Sequence, residues 1–211
     1  SANRSGRPSP TRPEHVRSDF GQDAPYILDG GACPVGVEST VLDISGERPI
    51  LLRPGGVGRA AIEQVLGEPV LVPERSAEGP VRSPGMKYRH YAPDVPLILI
   101  EGPPESVIDR MEVLARRERA AARRIGWLLS TEGAEAVRSS PGEVREVLGP
   151  RDEPRAQAAR LFDALRRLEE AGVDVILAEG STSPGGGVEA AVIDRLRRAS
   201  ARVERVGGAW R

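Results

Sequence analysis

The chain has 211 residues, enough for one large or two small domains, and its 39% hydrophobic and 29% charged residues are ordinary for a globular protein. A formal net charge of -1 excludes the overall basic excess of most nucleic-acid-binding domains, and a single cysteine excludes an internal disulfide framework. No apolar run approaches the ~20 residues that span a bilayer and no signal peptide is recognisable, so we expect a cytoplasmic protein without membrane contact.

The first third of the chain is rich in turn-forming residues. The prolines between residues 8 and 13 exclude a helix there, because proline lacks the amide donor and restricts its neighbour. Short helices are predicted over residues 14–20 and 58–66. Enrichment in β-branched and apolar residues predicts four short strands, at residues 26–29, 39–44, 50–53 and 70–72.

Strands and helices alternate after residue 95. The strands are predicted at residues 96–101, 125–129, 142–148 and 173–178. The helices are predicted at residues 105–122, 154–171 and 187–200. This alternation is typical of an α/β domain with a parallel sheet. We therefore predict an α/β chain with three parts: a first domain over residues 1–72, a linker over 73–96 and a Rossmann-like domain over 97–211.

The linker contains the most informative segment, residues 83–93, Ser-Pro-Gly-Met-Lys-Tyr-Arg-His-Tyr-Ala-Pro. Lys87 is the lone lysine among 30 basic residues, and it stands beside Tyr88, His90 and Tyr91. Lysine and arginine are not interchangeable at phosphate sites, so an isolated lysine favours a ligand contact. The alternative is a polar spacer bounded by prolines.

Three further segments place polar groups on irregular backbone. Residues 1–11 offer hydroxyls and an amide that suit an anion. Residues 36–41 put Ser39 at the start of a strand. Arg53 ends a strand before a Pro-Gly turn, and its guanidinium suits a phosphate. Each segment also has a simpler interpretation. Residues 1–11 can be ordinary turns, Ser39 can pack at the start of its strand, and Arg53 can be a surface arginine.

Taken together and in this order, the segments at 1–11, 36–41, 52–55 and 84–93 resemble the two-domain threonylcarbamoyl-AMP synthases. These enzymes have a YrdC-like catalytic domain and an additional C-terminal domain. The resemblance is strong over residues 1–93. It implies that the first part is the C-terminal portion of a YrdC-like twisted mixed sheet and that a smaller Rossmann-like α/β domain follows.

The resemblance also implies a nucleotidyltransferase reaction. L-threonine and bicarbonate form a carbamate that attacks the α-phosphate of ATP, which gives threonylcarbamoyl-AMP and pyrophosphate. The product serves threonylcarbamoyladenosine synthesis in tRNA and passes to the proteins that make the transfer; a weak tRNA contact is possible. Mg²⁺ is expected to accompany ATP rather than to occupy a protein site.

By the same resemblance no covalent catalytic residue is expected, because nucleotidyl transfer depends on positioning and charge neutralisation. Ser39 is the expected L-threonine contact, and His90 is expected to act in a linker that closes over the pocket as a lid. The expected ATP contacts are Ser1, Asn3, Thr11, Arg53, Lys87, Tyr88 and Tyr91.

One departure from the family pattern matters. Family members carry, before the segment at 1–11, a threonine-binding loop and a Lys-x-Arg pair that holds the triphosphate. Since neither occurs here, we expect an N-terminally truncated enzyme with little activity alone. Two alternatives stay open: an inactive remnant that binds nucleotide or RNA, and a YrdC-like carbamoyl-adenylate domain of another pathway.

Other candidate sites have simpler interpretations. The glycine-rich segment 180–188 lacks the phosphate-loop spacing and is predicted to be a flexible loop. His15 and His90 are too far apart in sequence to suggest a zinc site. Cys33 is predicted to be a small buried residue. The arginines between 116 and 124 alternate with glutamates and predict a solvated helix face, with a tRNA contact as the alternative.

Overall fold

The computed structural model describes residues 2–73, 91–181 and 187–208. The first part has little regular structure, because proline and glycine interrupt it repeatedly. Its elements are α1 (Pro13–Phe20), a 3-10 turn (Gly21–Asp23), β1 (Val41–Asp43), β2 (Ile50–Arg53) and α2 (Arg59–Leu66).

The strands β1 and β2 of the first part form a two-stranded sheet, and the predicted strand at residues 70–72 contributes only an isolated bridge. β1 and β2 pair antiparallel, and Ile50 of β2 also makes a parallel bridge to Leu71. The predicted strand at residues 26–29 is wrong. Tyr26 and Leu28 are 92% and 98% exposed, and their segment pairs with no strand in the described part of the chain. Apolar residues there suggested burial that the described residues do not provide.

The second part is a three-layer α/β domain. Its strands are β3 (Leu97–Glu101), β4 (Ile125–Leu129), β5 (Val144–Val147), β6 (Val175–Gly180) and β7 (Arg202–Arg205). Its helices are α3 (Pro104–Ala120), α4 (Thr131–Ala136), α5 (Pro154–Glu170) and α6 (Val188–Ala199). The strands are parallel and lie in the order β5-β4-β6-β3-β7, which confirms the predicted parallel α/β domain.

Alternate residues of the central strands supply two hydrophobic layers, because successive side chains of a strand point to opposite faces. On one face α3 packs against residues such as Trp127 and Leu177. On the other face α5 and α6 pack against residues such as Leu99 and Ile176. The helices α5 and α6 thus stand between the sheet and the first part of the chain.

Most predicted elements of the second part are confirmed, within a few residues at their ends. Two elements were missed. α4 has six residues, and β7 is a charged edge strand whose residues are mostly exposed. Neither carries the hydrophobic periodicity that identifies a buried element. Residues 74–90 of the predicted linker lie outside the described residues, so the predicted domain boundaries stay predictions.

Candidate functional site

Arg53 fastens the loop at residues 36–40 to the end of β2. Arg53 is 9% exposed, and its Nε and Nη2 both donate to the backbone oxygen of Ser39, at 3.2 and 3.0 Å. Gly55 packs so closely on this loop that a Cβ there would lie 2.2 Å from the amide nitrogen of Thr40. The loop and the end of β2 therefore form one unit, which fixes the backbone of Ser39.

Glu38 joins this unit to two other segments. Its Oε1 accepts a hydrogen bond from the hydroxyl of Ser9, and its Oε2 is 2.8 Å from Nε of Arg195. Ser9 is a buried residue of the N-terminal segment, whereas Arg195 lies in the middle of α6. A part-buried carboxylate needs such partners to offset its lost hydration. Glu38 is thus the point where three segments meet.

Arg195 is completely buried, and it contacts a third motif segment as well. Its Nη1 donates to the backbone oxygen of Pro54 at 2.7 Å and lies 3.2 Å from Oδ2 of Asp194. Its guanidinium carbon lies 5.6 Å from the centre of the Tyr91 ring, within the range of a cation–π contact. One side chain of the second domain therefore contacts segments that contain Glu38, Pro54 and Tyr91.

Tyr91 stands at the end of the predicted linker and is 3% exposed. Its backbone has a φ of 67°, an uncommon conformation for a residue with a side chain. Its ring lies 5.5 Å from that of Phe162 on α5. Burial and the Glu38 carboxylate raise the pKa of the Tyr91 phenol, against the opposing effect of Arg195 and Arg53. The phenol is therefore a neutral hydroxyl at neutral pH.

Asn3 and Thr11 have local partners. The amide of Asn3 donates to the backbone oxygens of Arg4 and Arg7, at 3.0 and 3.2 Å, and so closes the turn that precedes Pro8. Thr11 is 4% exposed, with its hydroxyl 3.4 Å from a ring nitrogen of His15. Their described side-chain contacts thus order the N-terminal segment.

The structure brings together the segments of Ser9, Ser39, Arg53 and Tyr91. The assignment of Ser39 to L-threonine and of Arg53, Tyr91, Asn3 and Thr11 to ATP stays a prediction. The remaining predicted site residues, Ser1, Lys87, Tyr88 and His90, lie outside the described residues.

A second group of polar contacts holds α1 against α5. Arg166 of α5 and Asp19 of α1 form a bidentate ion pair at 2.9 and 2.8 Å, and each side chain is 3% exposed. The same guanidinium donates to the backbone oxygen of Pro8 at 2.5 Å. This pair docks the first part of the chain on the second domain through residues other than Glu38 and Arg195.

His15 lies beside this ion pair. Its Nδ1 accepts a hydrogen bond from the amide of Thr11 at 3.0 Å, so the proton of the neutral ring is on Nε2, which lies 3.0 Å from Oδ1 of Asp163. Burial lowers the pKa of His15, and Arg166 lowers it further, against the opposing effect of Asp163 and Glu170. The neutral ring thus links α1 to α5.

Sequence reasoning missed Arg195 and Arg166 as interface residues. A signal was available, because both stand at the helical spacing of buried residues. Val188, Val192 and Arg195 follow one stripe of α6, and Phe162 and Arg166 follow one stripe of α5. An arginine inside such a stripe indicates a buried partner, although the sequence does not say which carboxylate it is.

The other candidate sites are mostly ordinary structure. Arg119 lies on α3 and contacts Glu143, as the interpretation as a helix face expects. Arg123 and Arg124 lie beyond the end of α3, where they contact Glu118 and the backbone oxygen of Gly142. Residues 182–186 of the glycine-rich segment lie outside the described residues. Cys33 is exposed, so the prediction that it is buried is wrong. No helix within the described ranges is long and apolar enough to cross a bilayer.

This arrangement, in which the helices of a parallel α/β domain dock a part that carries the motif segments and a two-stranded sheet, defines a two-part α/β protein. The family comparison is consistent with this. The family model for the C-terminal domain of threonylcarbamoyl-AMP synthase matches residues 57–201, and the Sua5, YciO and YrdC model, described as telomere recombination, matches residues 1–55. The chain belongs to the threonylcarbamoyl-AMP synthase family.

Individual relatives agree with the family model. The threonylcarbamoyl-AMP synthases of Pyrococcus abyssi and Bacillus subtilis are 41% and 43% identical to the chain over 95% of its length. The chain spans 56% of each of these relatives. The crystal structure of P. abyssi Sua5 complexed with L-threonine superposes with a TM-score of 0.83 at 40% identity, over 98% of this chain and 58% of that one.

Proposed function

We propose that the protein acts in threonylcarbamoyl-AMP synthesis, which forms threonylcarbamoyl-AMP and pyrophosphate from L-threonine, bicarbonate and ATP. The product then serves tRNA modification through the proteins that transfer the threonylcarbamoyl group. Family membership and the P. abyssi structure with L-threonine support this proposal. A cytoplasmic location is part of it, since tRNA modification and a single exposed cysteine suit a reducing compartment.

The observation that carries the proposal is the convergence of the motif segments. Residues from four segments that are distant in sequence, Ser9, Glu38, Pro54 and Tyr91, meet around Arg195. Nucleotidyl transfer needs reactants held in a fixed geometry and charge neutralised, more than it needs a covalent nucleophile. An assembly of rigid loops with hydroxyls and guanidinium groups suits that requirement.

The proposed residue roles follow the sequence analysis. Ser39 contacts L-threonine, and Arg53 contacts phosphate while also holding the Ser39 backbone. His90 belongs to the lid. Mg²⁺ arrives with ATP; within the described residues no group of three His, Cys, Asp or Glu side chains is placed to hold a metal ion. The other proposed ATP contacts are Ser1, Asn3, Thr11, Lys87, Tyr88 and Tyr91.

The test is pyrophosphate release that depends on both L-threonine and bicarbonate. Since the chain spans 56% of its relatives, two proteins are assayed: the 211-residue chain, and the chain joined to the part of the P. abyssi relative that the match does not cover. Circular dichroism and a melting curve establish that each is folded. Matched reactions omit L-threonine or use carbonate-free buffer.

Release that needs both substrates, in either protein, supports the proposal. A folded joined protein that binds AMP in calorimetry but releases no pyrophosphate would instead identify a nucleotide-binding remnant.

A further inference from the structure

Arg195 connects the second domain to the two loops that carry two of the proposed substrate contacts, Ser39 and Arg53. Its Nε pairs with Glu38, which precedes Ser39, and its Nη1 donates to the backbone oxygen of Pro54, which follows Arg53. Each distance is below 3 Å, as expected for charge-assisted hydrogen bonds. A single rigid guanidinium thus spans the gap between the two loops.

We infer that Arg195 is a positioning residue of the active site, and this inference rests on the proposed function. The first part of the chain has few buried hydrophobic side chains to hold its loops, so polar contacts determine where they lie. The planar fork of arginine fixes two acceptors at a set distance, which the point charge of lysine does not do. The second domain therefore contributes to substrate binding through the geometry of the loops.

The same guanidinium also constrains Tyr91. The centre of its ring lies 5.6 Å from the guanidinium carbon of Arg195 and 5.5 Å from the centre of the Phe162 ring. The left-handed backbone of Tyr91 costs energy that surrounding contacts must offset. Arg195 therefore also holds Tyr91, which lies near the end of the predicted linker.

The competing explanation is that Arg195 only docks the two parts of the chain. The pair Asp19–Arg166 provides the control, because it is also a buried ion pair and spans the same two parts. Asp19 lies on α1 and contacts neither the loop at 36–40 nor the end of β2 in the described structure. Asp19→Asn weakens docking without touching those loops.

The experiment compares Arg195→Met, Arg195→Lys, Glu38→Gln and Asp19→Asn. In the 211-residue chain, amide hydrogen exchange is followed at residues 36–40 and 53–57. In the joined protein, calorimetry gives the affinity for L-threonine and for AMP below the melting temperature of every variant.

We expect Arg195→Met to speed amide exchange in both loops. It should also lower the affinity for L-threonine and for AMP by about tenfold, because misplaced contact groups bind poorly. Arg195→Lys should recover only part of this loss. Asp19→Asn should lower the melting temperature at least as much as Arg195→Met does. The amides of the two loops should nevertheless exchange as in the wild type. In the double variants, the effects of Arg195→Met and Glu38→Gln on the free energy of unfolding should be non-additive. The effects of Arg195→Met and Asp19→Asn should be additive.

Equal exchange in the loops of wild type and Arg195→Met, or equal acceleration by Asp19→Asn, would overturn the inference and leave Arg195 a docking residue. If Arg195→Met does not fold, Arg195→Lys and Glu38→Gln decide the same question. A wild-type joined protein that binds neither ligand counts against the proposed function, whereas the exchange data on the loops still test the positioning role.

Discussion

The two parts of the molecule are stabilised in different ways. Residues 91–208 enclose two hydrophobic layers on a five-stranded parallel sheet. In residues 2–73, prolines apart, the buried hydrophobic side chains are Leu51 and Val70, and Val65 is 86% exposed. Burial of apolar surface is the main driving force of folding. The first part therefore has little core of its own within the described residues, although it carries most of the motif residues.

Buried polar contacts to α5 and α6 take the place of that core. In residues 2–73 the buried side chains include Ser9, Thr11, His15, Asp19 and Arg53. Buried ion pairs add little net stability compared with well-packed hydrophobic residues. If one partner moves away, however, the other is left as an uncompensated buried charge, which costs several kcal/mol. This suits a site in which loop geometry matters more than stability. The contrast can be tested by substitutions on each side.

The largest effect is expected in the sheet. Leu99 is fully buried, so Leu99→Ala should lower the free energy of unfolding by about 2–5 kcal/mol. Leu71, which is 39% exposed, is the matched leucine of the first part, and Leu71→Ala should cost less than about 1 kcal/mol. Urea unfolding followed by circular dichroism measures both. Similar losses would show that the first part has a real core.

A smaller loss is expected at the α1–α5 contact. Asp19→Asn leaves Arg166 with an uncompensated buried charge, and removing one partner of a buried pair costs about 3 kcal/mol. Because the substitution acts on the docking of α1, proteolysis should first cut near residues 13–20, while the second domain stays intact. A variant with wild-type stability and protease resistance would contradict the role given to this pair.

The smallest effect is a dependence on pH through His15. The pKa of His15 is lowered in the folded protein, chiefly by burial, so the unfolded state binds the proton more tightly. Stability should thus be constant above the ordinary histidine pKa of about 6.5 and fall as pH drops from there towards the lowered value. Urea unfolding at pH values from about 7.5 to about 5.5, on either side of the ordinary histidine pKa, measures how the free energy of unfolding changes with pH.

His15→Gln is the control, because it cannot titrate and keeps a donor for Asp163. If the glutamine variant loses stability over this interval as steeply as the wild type, the slope belongs to other groups.

Much of the second domain could be predicted from sequence. The strands β3, β4 and β6 are short continuous apolar runs, and the helices α3, α5 and α6 carry amphipathic periodicity. These local patterns suffice to place them. The first part was harder. The segment at 26–29 is apolar without a partner strand, and pattern alone does not distinguish a strand from an extended exposed segment.

For the candidate site, the motif order selected the segments, but it did not predict the contacts that hold them together. Glu38 and Arg195 are 157 residues apart. A pair of opposite charges at such a separation leaves no pattern in a single sequence, since the chain contains 31 acidic and 30 basic residues that could pair otherwise. Only the packing of α6 against the loops selects this partner.

Native-state hydrogen exchange under increasing denaturant tests the central claim most directly, that the site loops are held by contacts with the second domain rather than by a core of their own. Exchange reports the free energy of local opening for each element. We predict that amides of β1 and β2 open at a lower free energy than those of β3, β4 and β6, and that Asp19→Asn lowers the opening energy of α1 without changing that of the sheet. Equal opening energies for β2 and β6, or an opening energy of α1 that Asp19→Asn leaves unchanged, would contradict the account.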